Sequence, residues 1–110
     1  MADTQNFFHI SEIEQKRRLS GDRYQEFLRV PALSAGVYVL AAGGTDPQKP
    51  HREDELYYVI RGRAWMRVGE EEQAVSAGSV IFVAAHVDHR FFDITEDLEV
   101  LVFFAPEETA

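Results

Sequence analysis

Short apolar runs separated by turn residues follow one another along most of the chain. The pattern predicts strands at Tyr24–Val30 and Ala35–Ala41, and in the runs "LYYVI", "AWMRV", "EEEQAV", "SVIFVA", "DHRFFDI" and "DLEVLVFF". Between "LYYVI" and "AWMRV", the segment Arg61-Gly62-Arg63 predicts a tight hairpin. Strands at this regular spacing favour an all-β sandwich or small barrel over an α/β fold.

One segment, "SEIEQKRRLSG", has the pattern of a helix. Ser11 is its predicted N-cap, with Glu14 as the capping-box partner, and Gly21 marks its end. We therefore expect a single all-β domain over residues 1–110, in which residues 1–33 pack a short helix and a strand on the barrel.

The charge balance excludes two classes of partner. Lys and Arg total 11 and Asp and Glu total 19, so the formal net charge is −8. Such a chain repels nucleic acid and anionic lipid unless it has a concentrated basic patch, and Lys16-Arg17-Arg18 is too small for one. No apolar run approaches the roughly 20 residues of a membrane span. With no signal peptide visible, we expect a cytoplasmic protein with neither nucleic acid nor membrane as a partner.

The chain has no cysteine, so a metal ion would need nitrogen and oxygen ligands. The histidines are His9, His51, His86 and His89. His51 and Glu55 are four positions apart, and this even spacing places both side chains on one face of an extended segment. Two imidazoles and one carboxylate suit iron or manganese first, with nickel, zinc and copper as alternatives.

At these residues the sequence resembles the cupin family. The glycines, histidine and glutamate of the first cupin motif fall on Gly43, His51, Glu55 and Gly62. The second motif matches Gly78 and His89, with Ala84, His86 and Asp93 at its proline, glycine and asparagine positions. The resemblance covers about residues 34–105. It implies a double-stranded β-helix, a jelly-roll barrel, with His51, Glu55 and His89 as ligands of a divalent transition metal ion inside.

The chain departs from the family pattern at Lys49, which stands where the first motif has another histidine. A protonated lysine cannot ligate a metal, so the site keeps three ligands or has lost its metal. His86 could be an additional ligand, a hydrogen-bond partner of the site or an exposed residue, and exposure is the expectation. Glu53 and Asp54 are expected to lie in water, although Glu53 shares the face of Glu55.

The predicted hairpin also fixes a candidate cavity. It would pair Tyr57 with Met66, Tyr58 with Trp65, and Val59 with Ala64. Tyr57, Met66 and Phe91 would then wall a small cavity, with Lys49 at its rim to attract a carboxylate. Tyr58 and Trp65 would face outward, which predicts a homodimer unless residues 6–30 cover them.

Two classes of function fit this reading. The first is a metal-dependent enzyme, a dioxygenase, isomerase or lyase, acting on a small organic molecule. The second is a non-catalytic cupin that binds or senses a small ligand, either with a bound metal or without one. Thiol oxidation is disfavoured, because cupin thiol dioxygenases typically use three histidines, whereas this chain has Glu55 in the motif.

Overall fold

The computed structural model describes residues 5–109. It contains one helix followed by six strands: α1 (Ile10–Ser20), β1 (Tyr24–Val30), β2 (Leu33–Leu40), β3 (Asp54–Val68), β4 (Glu71–Ser76), β5 (Val80–Val83) and β6 (His89–Ala105). Within residues 5–109, no helix has the length and apolar character that crossing a membrane requires.

Helix α1 begins at a different cap from the predicted one. His9 is the N-cap, and its Nδ1 atom accepts a hydrogen bond of 3.1 Å from the backbone N–H of Ser11. Glu14 is buried and pairs with Arg17, so the predicted capping box is wrong. The predicted end is confirmed: Gly21 has a left-handed φ of 78°, which glycine adopts without a steric penalty.

The strands form an antiparallel sheet in the order β1-β2-β6-β3-β4, with β5 paired to β3. The long strands β3 and β6 lie side by side along nearly their whole length, from the pair Asp54 and Ala105 to the pair Val68 and His89. The predicted all-β class and double-stranded β-helix are confirmed.

The predicted hairpin at Arg61-Gly62-Arg63 is wrong, because β3 continues through it as one strand. Tyr57 is paired with Val102 and Ile81, and not with Met66. The hairpin that follows β3 lies seven residues later, where Gly69 and Glu70 connect the paired residues Val68 and Glu71. Gly69 takes a φ of 60° there, as tight hairpin turns require.

Gly62 bends β3 instead of ending it. Its φ is 102°, and the register between β3 and β6 shifts on both sides of it, between Val59 and Trp65. Bulges of this kind bend a strand and increase its twist. The bend folds the sheet back on itself, so the first residues of β3 and β6 meet inside the barrel. There the rings of Tyr57 and Phe91 pack edge to face, with centroids 5.4 Å apart.

The inward faces of the strands enclose one core. Alternate residues of β3 point inward, so Glu55, Tyr57 and Val59 are buried, as their even spacing predicted. The parity changes at the bend, and Met66 is buried beyond it. The other buried apolar residues of this cluster are Tyr38, Leu40, Ala64, Val75, Val83, Phe91, Ile94, Leu98, Val100, Val102 and Phe104.

An apolar cluster lies on the outer face of β3 and β5. The cluster consists of Tyr58, which is 43% exposed, and of Leu56, Val80 and Phe82 beside it. Trp65 is also 43% exposed, but it lies beyond the bend at Gly62, beside Phe92. Within residues 5–109, the segment before β2 does not cover them. The homodimer stays a prediction, which sedimentation velocity of the purified protein would test, and this cluster is the surface on which it would form.

Candidate metal centre

Three polar side chains meet inside one end of the barrel. His51 lies three residues before the start of β3, Glu55 is the second residue of β3, and His89 is the first residue of β6. One nitrogen of each histidine and one oxygen of the glutamate all lie within 4.8 Å of one another. His89 Nε2 is 3.3 Å from Glu55 Oε2, and His51 Nδ1 contacts Glu55 Oε1. The structure therefore brings together the three residues that the motif spacing predicted.

A backbone contact fixes the position of His51. The N–H of His86 donates a hydrogen bond of 2.7 Å to the carbonyl oxygen of His51, while the imidazole of His86 is exposed and lies outside the cluster. His86 has a φ of 68°, and Asp93 has a φ of 47°. These are the positions at which the cupin motif has glycine and asparagine, residues that tolerate this left-handed backbone.

The fit of the cluster to a metal ion depends on which of its atoms have hydrogen-bond partners. Both carboxylate oxygens of Glu55 and the Nδ1 atom of His51 are buried, and among the described residues they contact one another and His89 but accept no hydrogen bond from outside the cluster. Buried polar atoms usually have further partners, because losing water without compensation costs about 1–3 kcal/mol each. A divalent cation would satisfy all three atoms, and its nitrogen and oxygen ligands are those that transition metals accept.

Hydrogen bonds from outside the cluster hold His89 and Tyr57. His89 Nδ1 lies 2.9 Å from the carbonyl oxygen of Val87, which leaves Nε2 facing Glu55. The hydroxyl oxygen of Tyr57 lies 3.1 Å from His89 Nε2, and the hydroxyl group donates a hydrogen bond of 2.9 Å to Gln48 Oε1. Such outer contacts fix the ring orientation of ligating histidines.

Asp46 anchors this network, and the sequence analysis missed both Asp46 and Gln48. The Asp46 carboxylate accepts hydrogen bonds from the side chain of Gln48 at 2.9 Å, from the hydroxyl of Tyr38 at 2.7 Å and from the backbone N–H of Phe91 at 3.0 Å. Both residues lie in the turn-rich loop before β3, where the pattern carried no signal beyond their polarity. Lys49, in contrast, is exposed and forms no ion pair or side-chain hydrogen bond within the described part of the chain.

The carboxylates determine the charge of the histidines in the metal-free protein. Glu108 and Glu55 raise the pKa of His51 to about 10. Burial raises the pKa of Glu55, but the attraction of His51, then of His89 and Tyr57, outweighs it and lowers that pKa to about 2. For His89, burial lowers the pKa, yet Glu55 and the Val87 carbonyl leave it raised overall. A proton on His51 therefore balances the charge of Glu55 at neutral pH when no metal is bound.

The stability of the metal-free protein is expected to depend on pH through His51 and Glu55. Folding raises the pKa of His51 from 6.5 to about 10, so this contribution is complete below pH 6.5 and is lost as the pH rises through 10. The lowered pKa of Glu55 gives a contribution that is complete above pH 4.5 and is lost as the pH falls through 2. With chelator present, the melting temperature should therefore fall from pH 6 to pH 10, and fall less in His51→Gln. Equal falls in the two proteins would contradict this assignment.

A cavity of about 150 Å³ lies beside His51. Its walls are Tyr24, Tyr38, Gln48, His51, Val102, Phe104 and Glu108. The hydroxyl oxygen of Tyr24 is buried without a partner among the described residues, so it can donate to a ligand in this cavity. Met66 and Phe91, which were expected to wall the site, are buried in the core and border other cavities.

Two further features lie apart from the three-residue cluster. A larger cavity, of about 910 Å³, is an open groove beside the 43–46 loop, and none of the three candidate ligands lines it. The smaller cavity, in contrast, borders His51. The expectation that Glu53 lies in water is wrong: Glu53 is 3% exposed, and it accepts a hydrogen bond of 2.7 Å from the hydroxyl of Thr109.

Comparison with known proteins places this geometry in a family. The profile of the cupin domain family matches residues 36–104, which include all three candidate ligands. The chain is 48% identical over 102 residues to "Uncharacterized protein SCO3923" of Streptomyces coelicolor, and the match covers 93% of this chain and 97% of that protein.

Solved structures show the same fold. An RmlC-like cupin from Shewanella frigidimarina is similar with a TM-score of 0.67 and 24% identity, over 76% of this chain and 74% of that one. The DMSP lyase DddQ from Ruegeria pomeroyi is similar with a TM-score of 0.67 and 20% identity, over 77% of this chain but only 48% of the lyase. From its profile match, its relative and its fold, this chain belongs to the cupin family.

Proposed function

We propose that the chain is a metal-dependent enzyme that binds a divalent ion through His51, Glu55 and His89 and acts on a small organic molecule. The convergence of three buried side chains carries the proposal: both histidines face the Glu55 carboxylate, and among the described residues its oxygens accept no hydrogen bond from outside the cluster.

The three side chains leave coordination positions of an ion free, as a catalytic centre requires. An iron or manganese ion bound there would supply a Lewis acid and, with oxygen, a redox centre. Its chemistry would suit a dioxygenase, an isomerase or a lyase. The similarity to a lyase, at 20% identity, supports only the statement that this fold can host a lyase reaction. It does not indicate which reaction this chain catalyses, because one fold hosts many reactions.

The cavity beside His51 defines the class of substrate. Its volume of about 150 Å³ admits a compact molecule and excludes most drug-sized ligands. Val102 and Phe104 supply an apolar wall, and the free hydroxyl of Tyr24 can donate to an acceptor oxygen of the substrate. These features favour a small, partly apolar molecule with an oxygen-containing group that reaches the metal.

Metal analysis of the wild-type protein tests the proposal. Protein purified without a chelator or a His-tag should contain close to one equivalent of iron, manganese, nickel, zinc or copper by mass spectrometry. The loaded protein should then turn over one of a panel of small oxygen-containing molecules. Failure to take up metal even after reconstitution would overturn the proposal. Tight ligand binding without turnover would instead favour the non-catalytic alternative.

A further inference from the structure

The segment that follows β6 reaches the three-residue cluster. Residues 106–109 extend beyond the last strand, and they also lie beyond the part of the chain that the cupin profile matches. The carboxylate of Glu108 points toward the site: its Oε2 atom lies 3.3 Å from His51 Nε2, and the side chain borders the cavity.

Several contacts hold Glu108 in this position. Its backbone N–H donates a hydrogen bond of 2.8 Å to the Ser34 hydroxyl, and its carbonyl oxygen accepts one of 2.9 Å from Arg29. The next residue, Thr109, donates to Glu53 at 2.7 Å. The segment is therefore attached to β1, to β2 and to the loop before β3, so the approach of Glu108 to His51 is specified on three sides.

The two histidines of the cluster have matching surroundings. Each has one nitrogen beside an oxygen acceptor outside the cluster and its other nitrogen inside it. For His89 the outer acceptor is the Val87 carbonyl, 2.9 Å from Nδ1, and for His51 it is Glu108, 3.3 Å from Nε2. An acceptor oxygen requires a proton on the nitrogen that faces it, so the inner nitrogen of each ring is the one that offers a lone pair to a metal.

We infer that Glu108 is a positioning residue of the metal centre, which holds the His51 ring with Nε2 protonated and Nδ1 directed at the metal. This inference rests on the proposed metal function. Glu108 acts through His51 and need not touch the ion. Partners of this kind, which accept a hydrogen bond from the outer nitrogen of a ligating histidine, typically change metal affinity by about 10–100-fold.

Zinc binding by variants of residue 108 tests the inference, with Zn²⁺ as a diamagnetic probe. Glu108→Ala should weaken Zn²⁺ affinity, measured by competition with a chelator, by about 10–100-fold. Glu108→Gln should recover part of this loss, because its amide oxygen still accepts a proton. Glu107→Gln is the matched control: Glu107 precedes Glu108 and pairs with Arg29, but it does not contact His51. The Zn²⁺ affinity of Glu107→Gln should equal that of the wild type.

A second readout distinguishes positioning from general stabilisation of the segment. Long-range ¹H–¹⁵N NMR of the zinc-loaded protein should show His51 bound through Nδ1 in the wild type, with this preference lost in Glu108→Ala. Zn²⁺ affinity equal to wild type in Glu108→Ala, or His51 bound through Nε2 in the wild type, would overturn the inference and leave the proposed function standing. A wild type that takes up no zinc or other metal would overturn the proposed function and the inference together.

Discussion

Replacement of Glu55 by glutamine is expected to abolish metal binding while the barrel stays folded. The substitution keeps the size of a side chain that is 1% exposed, but it removes the one carboxylate that both histidines contact. A neutral amide is a weak ligand, and the two imidazoles alone would hold a divalent ion poorly. We expect a loss of affinity well above the roughly 100-fold that removal of an outer partner causes. Chelator competition and mass spectrometry of the purified variant would measure it.

Glu53→Gln is the matched control for this prediction. Glu53 precedes Glu55 by two residues and is also buried, yet it bonds to Thr109 and lies outside the three-residue cluster. Its variant should keep the metal content of the wild type, as should His86→Ala, because the His86 imidazole is exposed. Equal loss of metal in Glu53→Gln and Glu55→Gln would show that the binding site has been misassigned.

The candidate ligands could be predicted from the sequence because their geometry is local or motif-encoded. An even spacing places His51 and Glu55 on one face of any extended segment, and the cupin motif spacing adds His89 from a distant strand. Glu53 has the same parity and is buried with them, so the expectation that it lies in water went against the parity and is wrong. Its burial depends on the segment after β6, and no spacing rule links Glu53 to Thr109, 56 residues later.

Glu108, Gln48 and Asp46 escaped prediction for the same physical reason. Each reaches the site from irregular backbone, in which side-chain direction follows from tertiary contacts and not from a repeat. His86 shows the opposite case. The motif marked its position correctly, but the chain uses its left-handed backbone and its N–H group, and not its imidazole, to support His51.

The error at Gly62 has a different origin. A glycine between two apolar runs signals a residue with positive φ, and both a hairpin turn and a bulge within a strand satisfy that signal. The residues of β6 decide between them, because β6 supplies the neighbour that β3 needs to continue as a strand. Sequence alone therefore located the unusual backbone at Gly62 but could not predict that it bends the strand.

Gly62→Ala is expected to be strongly destabilising and to impair the metal centre as well. A Cβ at this position would lie 2.3 Å from the carbonyl oxygen of Asp97 and 2.7 Å from the Cα of Leu98, and both are backbone atoms that no rotamer change can move. The φ of 102° adds strain of its own. Together these effects should lower the free energy of unfolding by about 3 kcal/mol or more in urea denaturation.

Gly78→Ala separates the clash from the strain. Gly78 has a similar φ of 94°, but a Cβ there would have no heavy atom within 4 Å, so its variant should lose only about 1–2 kcal/mol. Any relaxation that accommodates the methyl group added by Gly62→Ala must open the bend that brings the start of β3 to the start of β6. Folded Gly62→Ala should therefore bind metal more weakly than folded Gly78→Ala. Equal stability and equal metal affinity in the two variants would mean that the bend at Gly62 neither limits folding nor positions Glu55 against His89.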